Sequence, residues 1–396
     1  MRNYDLITPE GTKDLLFGEC IARRNIENTL IELFKSRGYS EIITPGLEFF
    51  DVFNLNSRYF PQENLYKMTD NKGRLLVMRP DTTMPVARVV ATRLRDAVLP
   101  LKLCYNQTVY RTEQALKGRS DETVQAGIEI IGSDLKMADL EVISTAIDSM
   151  KALGMEFSLE IGHIGIFKEL VSRLEATDKE KEKIRKLIEN KNFPALNDML
   201  DSFGKNPTVD ALKRLPALFG KEEVFDKALE IMPDENIAVL LEQLREIYND
   251  VLSGNEGNIS VDLGLVNKTD YYTGIIIKGY LQGHGDEVIS GGRYDKLISE
   301  FGYDIPAVGF AVNVNAVAKV IEKNGVLPAP PRIDAVVFAQ EGCEAFALKK
   351  AKQLREQGLI VENALFSDLE SVREYAKERK ISRIVVADEN LQEAEE

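Results

Sequence analysis

The sequence predicts an α+β protein: an antiparallel β-rich body, interrupted by a helical insertion and followed by a small α/β domain. Three observations predict it. Strand-like segments with glycine-rich turns lie on both sides of residues 166–253, a stretch that is helical in pattern almost throughout. Leu327 to Pro331 holds three prolines and reads as a stiff linker. Beyond it, apolar strands and amphipathic helices alternate as β-α-β-α-β, the pattern of a small parallel sheet.

The elements follow in order. Residues 19–37 form a helix, because Phe17, Ile26, Leu30, Leu33 and Phe34 recur at helical spacing and Gly38 suits its C-terminal cap. Ser40 to Thr44 is extended and ends at Pro45. Leu75 to Val77 and Leu101 to Val109 read as strands, and Ala138 to Leu153 as an amphipathic helix stopped at Gly154. Phe157 to Ile161 is a strand running into a glycine-rich turn around His163, for which a structural role is expected. Within the insertion, the charge run Lys179 to Lys186 suits a solvated helix face, and Pro207, Pro216 and Pro233 act as breakers. Ile259 to Leu265, Gly274 to Leu281 and Glu287 to Ser290 predict a long antiparallel meander, with His284 exposed in a hairpin turn. Pro306 to Val314 is another strand, followed by a helix to Lys323. After the linker, strands at Ile333 to Ala339, Leu359 to Leu365 and Ile384 to Ala387 alternate with helices at Cys343 to Gln357 and Leu369 to Arg379. An acidic tail, Glu389 to Glu396, follows the third strand. The expected domains are 1–165 joined with 254–327, the insertion 166–253, and 332–396.

The chain has 396 residues, with 64 acidic and 50 basic side chains and a net charge of −14. That balance argues against binding nucleic acid through the bulk field, which needs clustered Lys and Arg. Three cysteines, Cys20, Cys104 and Cys343, form no CxxC pair, which fits a reducing cytoplasm; Cys104 suits the core. Two histidines leave little for a metal site or a catalytic triad, so no metal is expected. No apolar run reaches the ~18 residues of a membrane span.

Five polar segments stand out: Met78 to Thr83, Val109 to Glu113, Val124 to Glu129, Thr269 to Gly274 and Ser290 to Asp295. Gln125 and Glu129 are four residues apart on an apparent strand, so they share a face. Together with Arg111 and Tyr271, such groups suit a small zwitterion, carboxylates for an ammonium and an arginine fork for a carboxylate. The same spacing also fits a solvated outer face of a sheet, and the pattern alone leaves both open.

Taken together, the segments resemble the histidyl-tRNA synthetase family of class II synthetases over nearly the whole chain. Thr8 to Asp14 is similar to its opening segment, Ile43 to Phe53 to its motif 1 and Val109 to Glu113 to its motif 2. Asp270 to Gly274 and Gly291 to Asp295 resemble its two histidine-recognition motifs, and Pro306 to Ala311 begins like motif 3. The resemblance implies a class II aminoacyl-tRNA synthetase-like antiparallel sheet flanked by helices, a bound histidine and a self-dimer through motif 1. It implies that Asp81, Thr83 and Glu129 hold the α-amino end, that Gln125 and Arg111 reach the carboxylate side, that Tyr271 joins Glu129 near the imidazole or amino group, and that Tyr272 closes the pocket. Gly291 and Gly292 are expected to let backbone approach the ligand, and Arg74 and Arg119 are weak candidates for remnants of nucleotide contacts.

The departures from that family all remove cations. Asn267 stands where the synthetase has a catalytic arginine, and Ala316 where motif 3 has an arginine for ATP; no arginine occurs from Pro306 to Pro331. Charge developing on a phosphate needs fixed donors, each worth about 3 kcal/mol on the oxyanion-hole scale. Residues 330–396 hold ten Lys and Arg against fourteen Asp and Glu, a poor surface for RNA. A kept histidine pocket beside a stripped ATP site resembles the regulatory-subunit family of short-form ATP phosphoribosyltransferase, a synthetase paralogue. Gly162 to Phe167 and Arg79 to Thr83 are also more similar to that paralogue. The resemblance implies no catalytic residues, no cofactor, lost adenylation, histidine as feedback effector, and assembly with the short catalytic subunit. The alternatives are an active histidyl-tRNA synthetase and another amino-acid-binding paralogue.

Overall fold

Helix α1 (Gly18–Ser36) forms because Ala22, Ile26, Leu30 and Phe34 recur on one face, all of them buried. Gly38 follows it at φ +82, the left-handed turn that a side chain would strain. Phe17 departs from the expected apolar face: it precedes the helix at φ +45 and is 75% exposed. The computed structural model describes residues 4–54, 60–112, 120–254, 258–266, 271–387 and 393–395.

After α1 come β1 (Ser40–Glu41), β2 (Leu47–Phe49), α2 (Phe50–Asn54), β3 (Lys67–Thr69) and β4 (Leu75–Met78). Strands β2, β4 and β3 make a small antiparallel sheet. Its register puts Leu47, Phe49 and Met68 on one face, and all three are exposed. Then follow α3 (Thr83–Thr92), β5 (Leu101–Tyr110), β6 (Glu122–Ile131), α4 (Lys136–Ala152) and β7 (Phe157–His163).

The stretch read as an insertion contains α5 (Ile164–Ser172), α6 (Asp178–Glu189), α7 (Phe193–Asp201), α8 (Pro207–Arg214), β8 (Phe219–Gly220), α9 (Glu223–Ile231) and α10 (Glu235–Gly254). Pro207 opens α8, where its missing N–H costs nothing. The charge run on α6 is not solvated throughout: Arg185 is buried and paired with Glu182 and Glu189 at 2.7 and 3.0 Å. His163 ends β7 and caps α5, its Nδ1 accepting from the Gly165 N–H at 3.2 Å, while Gly162 belongs to the strand rather than to a turn.

The chain returns through β9 (Ile259–Asp262), β10 (Ile275–Leu281), β11 (Ile289–Arg293), β12 (Ala307–Asn313) and α11 (Val314–Lys323). The large sheet has the order β1-β5-β6-β12-β11-β10-β7-β9-β8. From β5 to β7 every pairing is antiparallel. Of the expected meander only β10 and β11 pair as neighbours, and β12 extends them; β9 instead pairs parallel to β7 at the far side. A parallel neighbour needs a long crossover, and the helical stretch supplies it. One continuous core joins α1, the sheet and the helices up to α11, and residues 1–327 form one compact unit.

The second unit, 328–396, holds β13 (Ala335–Ala339), α12 (Glu344–Glu356), β14 (Val361–Asn363), α13 (Leu369–Arg379), β15 (Ile384–Ala387) and β16 (Glu393–Glu395). Strands β14, β13 and β15 are parallel, as the alternating pattern predicts. The acidic tail adds something unforeseen, an antiparallel edge strand against β15. Among the described residues, no helix is long and apolar enough to cross a membrane.

Candidate functional site

A cavity of about 530 Å³ lies over the middle of the large sheet, and all seven residues singled out in the sequence line it: Asp81, Thr83, Arg111, Gln125, Glu129, Tyr271 and Tyr272. They come from four separate stretches. The antiparallel register explains the sheet part. Gln125, Gly127 and Glu129 alternate on β6, opposite Asn313, Ala311 and Gly309 of β12. Glycine at two of these positions makes room. A Cβ on Gly309 would lie 1.8 Å from Glu129 Oε2, and one on Gly127 would lie 2.6 Å from the Tyr105 hydroxyl.

Glu129 is the centre of the site and is 1% exposed. Its Oε1 accepts from Thr83 Oγ1 at 2.9 Å and from the Tyr105 hydroxyl at 3.3 Å, and its Oε2 accepts from the Tyr294 hydroxyl at 2.6 Å. Burial pushes its pKa up to about 8, and Asp81 adds to the rise, while the three hydroxyls pull it down. The carboxyl is thus held in place yet short of positive charge, which suits it to receive a ligand ammonium.

Asp81 lies just before α3, where its Oδ1 accepts from the Met84 N–H at 3.0 Å. Burial raises its pKa and the Arg111 guanidinium, 3.5 Å away, pulls it back. The loop carrying Asp81 is pinned by Arg79, a buried guanidinium. It donates to the carbonyls of Thr108 and Thr44 at 2.7 Å and to the Gln107 side chain, and among the described residues no carboxylate pairs with it. Arg111 donates to the Pro80 carbonyl and stacks on Phe60 at 5.5 Å, which fixes its fork at the cavity edge. Tyr271 and Tyr272 are both buried, with ring centroids 4.8 Å apart.

The field of the cavity is acidic. Among the described residues its lining has eight carboxylates and four cations, Lys13, Arg23, Arg111 and Lys319. Three of the four are already paired, with Glu19, Glu27 and Asp81. Ala316, in the motif 3 arginine position, lines the cavity in the first turn of α11, and its N–H is capped by Asn313 Oδ1 at 3.0 Å. A triphosphate finds little compensation here. Asn267, the other altered position, lies outside the described residues, as do Glu113, Arg119 and Asp270. No group of three or more His, Cys, Asp or Glu among the described residues is placed to hold a metal ion.

Three expectations change. His284 is half-buried and lines the cavity instead of standing exposed in its turn. Gly291 and Gly292 serve their own neighbours first: a Cβ on either would sit 2.4 Å from the adjacent strand's carbonyl, and one on Gly292 would meet the Tyr272 ring at 2.9 Å. Arg74 pairs with Asp70 at 2.7 Å, in the turn between β3 and β4, and is absent from the cavity lining. Tyr294 and Tyr105 escaped the sequence reading. Tyr294 sits inside a segment that stands out by composition, but Tyr105 is legible only once β5 and β6 are in register.

The comparisons bear on the whole chain. A family model described as Histidyl-tRNA synthetase matches residues 11–317. The chain is 43% identical over 386 residues to an ATP phosphoribosyltransferase regulatory subunit of Clostridium kluyveri, covering 96% of this chain and 99% of that one. It is 41% identical over 394 residues to the protein of the same description from Clostridium acetobutylicum, covering 98% and 97%. A Bacillus halodurans crystal structure, described as an ATP phosphoribosyltransferase regulatory subunit/histidyl-tRNA synthetase, superposes with a TM-score of 0.84 at 27% identity, over 98% of this chain and 99% of that one. A histidyl-tRNA synthetase from a Nostoc species gives 0.78 at 21% identity, over 100% of this chain and 97% of that one, a likeness of fold alone. A synthetase-like sheet, a cavity short of free cations and near-full-length kinship lead to one assignment: the chain belongs to the family of ATP phosphoribosyltransferase regulatory subunits.

Proposed function

We propose that this chain binds free histidine in the cavity and acts as the feedback sensor of an ATP phosphoribosyltransferase, assembled with a short catalytic subunit. The observation that carries the reading is the Glu129 niche: a buried carboxyl gripped by three hydroxyls, beside Asp81, in a cavity whose cations are mostly paired. In this reading Asp81, Thr83 and Glu129 hold the ligand ammonium. Arg111 and Gln125 reach its carboxylate, and Tyr271 and Tyr272 enclose the ring. The ligand is bound and not activated: without cations for phosphate, adenylate formation is lost.

Regulation is then a binding linkage. Histidine favours one of two conformations, and the catalytic partner senses that bias across an interface. The Tyr271–Gly274 segment is the moving element of this scheme. The exposed apolar face of Leu47, Phe49 and Met68 supports a self-dimer through the motif 1 region. The acidic balance, −14 overall, supports a protein without a nucleic-acid partner, and three cysteines without a CxxC pair support the cytoplasm. Residues 1–165 and 254–327 form the ligand-binding body in this reading, with 166–253 inserted and 332–396 appended.

The test is reconstitution with a short phosphoribosyltransferase chain. Its activity should become sensitive to histidine only when this chain is present. Equal sensitivity with and without this chain refutes the regulatory role.

A further inference from the structure

Building on the reading of the cavity as an amino-acid site, we propose that Arg293 and Asp139 are positioning residues that couple the Tyr271–Gly274 wall of the cavity to helix α4. Neighbouring residues along an extended segment point to opposite sides. Tyr294 reaches into the cavity, where it donates to Glu129 and meets the Tyr271 ring at 5.8 Å. Arg293, one residue earlier, reaches the other way. Its Nε donates to Asp139 Oδ1 of α4 at 2.9 Å, and its Nη2 lies 2.7 Å from the same oxygen. Its Nη1 donates to the Ser133 carbonyl at 3.0 Å and to Asp295 Oδ1 at 3.2 Å. Arg293 and Asp139 are both buried.

The same segment is zipped to the cavity wall. The Thr273 N–H donates to the Arg293 carbonyl at 2.7 Å, Thr273 Oγ1 donates to Asp295 Oδ2 at 3.1 Å, and the Asp295 N–H donates to Thr273 Oγ1 at 3.0 Å. A Cβ on Gly274 would lie 3.0 Å from Arg293 Cδ, so the wall closes directly onto the guanidinium stem. A shift of Tyr271 and Tyr272 around a ligand therefore moves Thr273, and with it the strand end that carries Arg293. A buried ion pair with several geometric constraints accommodates such a shift by moving its partner rather than by stretching. The partner is α4, which also packs against α10.

The experiment is amide exchange on the full chain with and without histidine, together with calorimetry. In the wild type, histidine should slow exchange in residues 271–274 and in 136–147 together. Asp139→Asn should weaken histidine binding at least tenfold and abolish the response of 136–147, while that of 271–274 persists at saturation. Arg293→Lys, which keeps the charge and loses the fork, should act the same way and serves if the first variant fails to fold. A merely structural pair predicts a lower melting temperature with unchanged affinity and an unchanged exchange pattern, and that result overturns the proposal. So does a wild type that binds histidine with 136–147 unaffected. If the wild type binds no histidine, the amino-acid reading fails, and the coupling is read without ligand. Thr273→Val should then speed exchange of 136–147, and unchanged exchange overturns it.

Discussion

Tyr294 donates its phenolic proton to Glu129 at 2.6 Å while its ring meets Tyr271 edge to face at 5.8 Å. One side chain thus ties the buried carboxyl to the Tyr271 wall of the proposed pocket. Tyr294→Phe removes the donor to Glu129 Oε2, and since Thr83 and Tyr105 both bond Oε1, it leaves a buried oxygen without a partner and should cost about 1–3 kcal/mol of stability. Histidine affinity should fall several-fold. Paired urea unfolding and calorimetry check both numbers.

Glu129 makes stability depend on pH with a definite sign. Burial raises its pKa to about 8 in the folded chain, above its ordinary value of 4.5. The folded state keeps a proton that the unfolded state releases, so stability is lost as pH rises through this window, by up to about 1.4 kcal/mol per pH unit. Glu129→Gln, which cannot ionise, should flatten that slope. Urea midpoints at about pH 5 and about pH 8 for both proteins check it; parallel slopes contradict the assignment.

Gly309 is a steric test of the niche. A methyl group there would overlap Glu129 Oε2 at 1.8 Å and the Ile128 carbonyl at 2.3 Å. Gly309→Ala should destabilise the chain by about 1–3 kcal/mol. Gly285→Ala, at a position with nothing within 4 Å of a Cβ, should melt like the wild type. Thermal denaturation of the two variants side by side decides it.

The apolar face of the small sheet predicts association. Phe49→Lys places a charge among Leu47 and Met68 on that exposed face, where the Arg74 guanidinium stacks on the Phe49 ring at 4.8 Å, and should shift the protein toward a monomer. Sedimentation velocity measures the shift, and an unchanged coefficient counts against this face as the contact.

Much of this architecture was legible because local patterns agree with the fold. Helix α13 spans Leu369–Arg379 in both the pattern and the structure, since Asp368 caps it and its apolar positions face the small sheet. The place of β9 was not legible: its parallel pairing with β7 depends on a long, mainly helical crossover over residues 164–258, which no local period encodes. Phe17 fits the helical period yet lies outside the helix, because the chain turns at φ +45 just before it. In the site, the residues that touch a ligand in the proposed reading stood out through motif resemblance. Tyr105 and Gly309 did not, for their part in holding and admitting Glu129 arises only when three strands are laid in register.

The central claim is that free histidine is bound at Glu129, and titration calorimetry of the wild type against Glu129→Gln tests it most directly. The account predicts saturable histidine binding by the wild type, weaker by roughly 10-fold to 100-fold in the variant, the value of a hydrogen bond to a charged group. Histidine binding of equal strength by both proteins, or none by the wild type, would contradict it.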